Sequence, residues 1–318
     1  MIRFYGNPRR PQDRGRNFRP RPSSPRSVDE GSKRFLAGTA IDPSPRLRLE
    51  DGSKELTMRV MDLICPIGMG QRGLIVAPPG SGKTTFLKHI CQAVAKSSPD
   101  MKLYCLLVDE RPEEITDFKR SVPAEVRSSS SDETYDHHIA TADQLMRQVF
   151  GEAANGVNVL VVIDSLTRLS RVHNAEQRSS GRTLSGGMDA RALEVPRRIF
   201  GSARKIENGG SLTILATILV QTGSRMDDVI FEEFKGTGNM EIFLSREISS
   251  SRIYPAIDIA KSGTRKEELL LEPEELERVR KLRRVLSGLG TVEAAKTLIE
   301  ELQKYPTNQE LLSALAKS

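Results

Sequence analysis

The stretch "APPGSGKTTF" (77–86) follows the apolar run "GLIVA" (73–77) and precedes "LKHICQAVAKS" (87–97). An apolar strand that feeds a glycine-rich turn and then an amphipathic helix confines the chain to a narrow set of α/β folds. Residues 77–84 read A-x-x-x-x-G-K-T, a P-loop with Ala77 where the first glycine would stand. Gly80 and Gly82 let backbone N–H groups turn toward an anion, and the following helix adds the positive end of its dipole. Lys83 is then placed to contact the β- and γ-phosphates of a nucleotide, and the Thr84 hydroxyl to ligate Mg²⁺. The competing reading is a glycine-rich turn in an ordinary α/β protein. The intact Gly-Lys-Thr between strand and helix argues against it.

Three more apolar runs, "LYCLLVD" (103–109), "VNVLVVID" (157–164) and "LTILATILV" (212–220), have the length and composition of buried strands. Amphipathic stretches at 84–96 and 140–153 lie between them, so the sequence predicts a mostly parallel sheet flanked by helices over residues 57–318. After Pro273 the pattern predicts two helices broken around Gly288 and Gly290. Asp164 ends one strand and supplies an acid for Mg²⁺, while Asp109, Glu110 and Arg111 end another. Acids at the carboxyl ends of parallel strands fall beside the crevice where open α/β sheets bind ligands. Taken singly, each is more often a helix cap or a surface charge. Two such strand ends after a P-loop favour the site, and Glu110 is the expected catalytic carboxylate.

Charge is concentrated at one end. Residues 1–34 carry ten basic side chains against three acidic ones, so this segment alone exceeds the +6 of the whole chain. Rich in Arg, Pro, Gly and Ser, it buries too little to offset its ordering entropy and is expected to be disordered, with 35–56 an extended lead-in. Three cysteines, Cys65, Cys91 and Cys105, lie in apolar surroundings. An odd number in such settings suits reduced thiols in the cytoplasm, not a disulfide framework. No metal-ligand spacing, membrane-length apolar run or signal-peptide core is visible.

The segments "PIGMGQRGLIVAPPGSGKTT", "LLVDERPEEITDFKR", "VVIDSLTRLSR", "LSGGMDARAL", "EEFKGTGNMEIFLSR" and "YPAIDIAKSGTRKEELL" resemble the ATPase portion of bacterial transcription termination factor Rho. The resemblance runs from residue 46 to the C-terminus. It implies a RecA-like core and a ring-forming, RNA-dependent ATPase and helicase, with ATP and Mg²⁺ as cofactors. Single-stranded RNA, a hexameric ring of identical subunits and RNA polymerase are the implied partners. Lys83, Thr84 and Asp164 match the Mg²⁺–phosphate residues, with Gly80, Ser81, Gly82 and Thr85 around them. Glu110 matches the family's catalytic glutamate. Arg111 and the run Gly68, Met69, Gly70, Gln71, Arg72, Gly73 match segments that line the nucleotide. Tyr254 falls where the family presents an aromatic ring to the adenine. Arg265 matches the arginine finger that reaches a neighbour's phosphates, and Arg252 is expected in the same inter-subunit cluster. Gly186 and Gly187 belong to one RNA-facing loop, and Lys235 in "FKGTGN" to the other, where the family's lysine contacts RNA phosphate.

The chain also departs from the family. Rho's P-loop usually carries Lys-Ala where Gly80-Ser81 stand here, and Met in place of Thr85. Roughly 45 residues precede the resemblance, too few for the OB-type barrel with which Rho captures single-stranded RNA. The expectation is that this primary RNA site is missing and that the arginine-rich tail stands in its place. A regulatory paralogue that joins a full-length partner, and a different RecA-like motor of the protein-export or ATP-synthase type, are the alternative readings. Intact Glu110 and Arg265 favour an active motor over the first. The loop motifs and "GTRKEELL" argue against the second.

Overall fold

The computed structural model describes residues 30–177, 187–189 and 191–317. The chain enters through α1 (Glu30–Ala37), β1 (Ala40–Ile41), β2 (Arg46–Leu47), α2 (Leu56–Ile64) and β3 (Ile67–Gly68). Strand–turn–helix units follow: β4 (Arg72–Ala77), α3 (Lys83–Ser97), β5 (Lys102–Glu110), α4 (Pro112–Ser121), β6 (Glu125–Ser130), α5 (Tyr135–Ala154), β7 (Asn158–Asp164) and α6 (Leu166–Gln177). Next come α7 (Glu194–Gly201), β8 (Arg204–Ile206), β9 (Ser211–Leu219), α8 (Arg225–Phe234), β10 (Met240–Phe243), α9 (Arg246–Ser250) and β11 (Gly263–Thr264). Three helices close the chain: α10 (Pro273–Ser287), α11 (Thr291–Lys304) and α12 (Asn308–Lys317).

The main sheet runs β11-β10-β4-β9-β7-β5-β6, with β8 and β1 added beside β9. Pairing from β10 through β6 is parallel throughout, while β11, β8 and β1 pair antiparallel at the margins. The central strands are apolar on both faces because both are covered. Ile75, Ala77, Cys105, Leu107, Leu160 and Val162 face one core with α2, α3 and the C-terminal helices. Leu74, Val76, Leu106, Val161 and Ile163 face the other, with α5, α6, α7 and α8. Helix starts follow local chemistry. Pro112 and Pro273 open α4 and α10, where a missing N–H costs nothing, and the Thr134 side chain caps α5.

Two boundaries differ from expectation. Residues 30–34 belong to α1, and the lead-in is not extended throughout. Phe35 is buried there, its ring 5.9 Å from that of Phe150 on α5, and this tertiary contact holds a helix that composition disfavours. The C-terminal part has a third helix, α12, whose start is fixed by Asn308 hydrogen-bonded to Arg59 of α2. Residues 1–29 of the expected tail, and Gly186, lie outside the described residues. Among the described residues no helix is long and apolar enough to cross a membrane, and the three cysteines are free and buried.

Candidate active site

β4 delivers the P-loop. Gly80 and Gly82 adopt φ of 76° and 85°, backbone that a side chain would strain, and α3 begins at Lys83. Ser81 folds its hydroxyl back onto the Pro78 carbonyl at 2.8 Å and so closes the turn. Thr84 and Thr85 occupy the first turn of α3, Thr84 half-buried and Thr85 exposed. Next in the sheet to β4 lies β9, then β7, so Asp164 at the end of β7 faces the P-loop across β9. Its Oδ2 pairs with the Lys83 ammonium, and its Oδ1 accepts a 2.8 Å hydrogen bond from Thr217 of β9. A hard carboxylate oxygen turned to the P-loop, with the Thr84 hydroxyl beside Lys83, is the donor set that Mg²⁺ takes alongside phosphate oxygens. The residues therefore fit the ion.

Glu110 ends β5, and its burial has a local cause. Pairing of β5 with β6 shifts register between Val108 and Glu110, where Asp109 takes a φ of 53°. This bulge turns Glu110 inward, as bulges beside active sites commonly do. Burial pushes the Glu110 carboxyl above its ordinary value, Arg168 opposes the rise, and Asp164 adds to it. Arg168, four residues after Asp164 on α6, donates to Glu110 Oε1 at 3.2 Å and also to the Asp109 carbonyl. Arg168 and Thr217 are not among the residues the sequence motifs single out. The signal for Arg168 was its place in "DSLTR", one helical turn past a strand-end acid; Thr217 left none, because only sheet order brings it to Asp164.

Tyr254 reaches the same crevice: a Cβ on Gly82 would lie 3.5 Å from the Tyr254 ring. Arg111 stands at the residue before α4, next to Glu110, its exposed guanidinium donating to Glu114 at 3.2 Å. The run Gly68–Gly73 is elsewhere. It precedes and enters β4, whose six residues span about 20 Å to the P-loop. Its glycines serve close packing there: a Cβ on Gly70 would fall 2.4 Å from the Lys205 backbone nitrogen. Arg265 lies at that far end too, its N–H bonded to the Asn239 carbonyl, while Gln71 and Arg72 hold the Asn239 side chain. Arg252 is not with Arg265. It follows α9 at the carboxyl end of β10, two residues before Tyr254, whereas β11 has returned antiparallel to the opposite end before Arg265. One chain thus carries Lys83, Asp164, Glu110 and Tyr254 at one end of the sheet, and Arg265 with Gly68–Arg72 at the other.

The RNA-loop candidates are both tied to α6 or α8. Asn174 of α6 donates to the Gly187 carbonyl at 3.1 Å and accepts from the Asp189 N–H at 2.7 Å. Lys235 follows α8, exposed, with Glu232 at 3.4 Å. Asp227 of α8 is wholly buried and takes Arg171 of α6 on both carboxylate oxygens, with Thr222 as a further donor at 2.6 Å.

A P-loop on a parallel sheet with strand-end acids turned to it defines a nucleotide-binding RecA-like domain. Residues 57–264 match the ATP synthase alpha/beta family, nucleotide-binding domain. A prototypical ATPase of the type III secretion system of pathogenic bacteria has the same fold, with a TM-score of 0.70 at 22% identity over 87% of this chain and 85% of that one. More narrowly, the chain belongs to the Rho family. It is 48% identical to transcription termination factor Rho of Haemophilus influenzae, over 88% of this chain and 67% of that protein. It is 50% identical to Rho of Mycobacterium tuberculosis over 92% of its own length, and spans 49% of that relative.

Proposed function

We propose that the chain is an RNA-dependent ATPase that works as a ring, hexameric as the family resemblance implies, and drives movement along single-stranded RNA. Its cellular role would be transcription termination, with RNA polymerase as a partner. The observation that carries the reading is the buried Glu110, held by Arg168 across the crevice from Lys83 and Asp164. Mg²⁺, held by Thr84 and Asp164, would neutralise charge on the β- and γ-phosphates. Lys83 moves from Asp164 onto the phosphates. Glu110 orients the attacking water and accepts its proton, a task helped by a carboxyl that burial raises above its ordinary value. Tyr254 offers its ring to the base.

The set is split. About 20 Å of strand separates the P-loop from the Arg265 end, farther than one side chain reaches. If Arg265 acts on a nucleotide, that nucleotide is a neighbour's, and the Gly68–Arg72 run faces the same junction. Purified protein should hydrolyse ATP with Mg²⁺ and do so faster with single-stranded RNA. Lys83→Ala should lose binding and turnover, and Glu110→Gln should keep binding and lose turnover. Full turnover in Glu110→Gln, or hydrolysis indifferent to RNA, would refute the reading.

A further inference from the structure

β9 lies between β4 and β7, and its side chains alternate between the two cores. Leu212, Ile214, Ala216 and Ile218 face one core and Leu215 the other, so Thr217 shares the Leu215 face, the side of α3. Pairing sets Thr217 opposite Ile75 of β4, and Leu107 of β5 opposite Asp164. Ile163 pairs with Ala216, so Asp164 and Thr217 are the next step of the same ladder. One row across the sheet therefore runs Leu107, Asp164, Thr217, Ile75, and all four side chains are buried. A carboxylate and a hydroxyl stand together there between two aliphatic walls.

The Thr217 hydroxyl has one proton and two acceptors in reach, Asp164 Oδ1 at 2.8 Å and the Ile163 carbonyl at 3.3 Å. The nearer, charged acceptor takes it, because hydrogen bonds to ionised oxygens are the shorter and stronger kind. Oδ1 has no other donor among the described residues, and Oδ2 is turned to the Lys83 ammonium. The two oxygens thus have separate tasks: one is pinned to the sheet, the other is offered to the P-loop. A threonine that satisfied itself on the neighbouring backbone would leave both oxygens free to turn. One free oxygen suits Mg²⁺, which is small, keeps much of its water and takes few protein contacts. Ca²⁺ is larger, gathers about six to eight oxygens and accepts both oxygens of one carboxylate.

We propose that Thr217 is a positioning residue that sets cation selectivity: by holding Oδ1 it limits Asp164 to one-oxygen contact and so favours Mg²⁺ over Ca²⁺ beside the nucleotide. The proposal rests on the reading of Thr84 and Asp164 as the Mg²⁺ residues, and Thr217 acts through Asp164.

Equilibrium binding of a fluorescent, non-hydrolysable ATP analogue to the full chain, titrated with Mg²⁺ or with Ca²⁺, tests this without turnover. In the native protein Mg²⁺ should tighten binding at lower concentration than Ca²⁺. Thr217→Val keeps the shape and removes the hydroxyl. It should raise the Mg²⁺ concentration needed for half the effect on the order of 10-fold, as loss of a partner behind a metal ligand does. The Ca²⁺ concentration should stay the same or fall, so the preference narrows by at least that factor. Thr217→Ser keeps the hydroxyl and should restore the native preference. An unchanged preference in Thr217→Val, or equal weakening with both cations, overturns the proposal. Native binding indifferent to both cations overturns the Mg²⁺ reading beneath it. A response lost in Asp164→Asn but native in Thr217→Val upholds that reading and sinks the proposal alone. Should Thr217→Val fail to fold, Thr217→Ser and Thr217→Ala both lose the methyl group and differ only by the hydroxyl; equal preference in those two overturns it.

Discussion

Replacing Arg168 with Gln should impair turnover through Glu110 and leave nucleotide binding intact. Arg168 contributes a 3.2 Å charge-assisted hydrogen bond to a carboxylate whose own side chain is 6% exposed, and its guanidinium is 27% exposed. Such a bond is worth about 1.5–3 kcal/mol when sheltered. Discounted for partial solvent screening, about 1–2 kcal/mol of positioning is lost, which corresponds to a fall in kcat of roughly 5- to 30-fold. The fall should depend on pH. Arg168 holds the Glu110 carboxyl below the value burial alone would set, so losing its charge raises that value further. A base must be deprotonated to act, so the acid limb of the rate profile moves to higher pH and the defect is greatest under acidic conditions. Arg168→Lys keeps a charge but not the fork to the Asp109 carbonyl; it should restore the limb more fully than the rate. Single-turnover hydrolysis across pH, with ATP affinity measured separately, checks this. A fall of equal size at every pH, or a loss of ATP affinity in proportion, would refute the reasoning.

Mixing Arg265→Ala with Lys83→Ala subunits should restore part of the hydrolysis that each lacks alone, because each keeps the half-site missing in the other; a mixture no better than its components argues against shared sites. Lys235→Ala should lower RNA-stimulated turnover several-fold with basal hydrolysis and ATP affinity unchanged, and equal loss of both rates would assign the residue to the fold. Burial raises the Asp62 carboxyl from 3.8 to about 6, against the opposing effects of Arg46 and the N–H groups of Glu50 and Leu49. The folded chain then holds this proton more tightly than the unfolded one, so the contribution is complete below the unfolded value and is lost as pH rises through about 6. It amounts to ~3 kcal/mol, and urea unfolding of Asp62→Asn should lack that slope; identical slopes would contradict the assignment.

The strand–turn–helix around the P-loop was legible because its signals are local: an apolar run, glycines at two left-handed positions, an amphipathic helix. Strand limits fell within one or two residues for the same reason, and β7 ends at Asp164 as its apolar run does. What escaped depends on register and order. The bulge that turns Glu110 inward is set by β6, and the Asp164–Thr217 contact by β9 lying beside β7. Gly68–Gly73 sits close to the P-loop in sequence, yet a strand's length divides them. Arg252 and Arg265 are separated although close in the chain, because β11 reverses direction between them.

Three of the side chains on α6 occur at intervals of three residues: Arg168, Arg171 and Asn174. Each is bound to a different part of the molecule, namely Glu110, Asp227 of α8, and the Gly187–Asp189 backbone. Spread over about 9 Å of helix axis, they share one rigid element. The middle contact is the least dispensable, since separating Arg171, itself 41% exposed, from the wholly buried Asp227 would leave that carboxylate with the Thr222 hydroxyl but without its cation. A shift of α6 that accompanies a change at Glu110 therefore carries α8 with it before that pair breaks. Lys235 follows α8 directly, and Gly187 hangs from the far end of α6. The expected catalytic carboxylate and both candidate RNA loops are thus joined through one helix, with the firmest link on the wholly buried Asp227 between them.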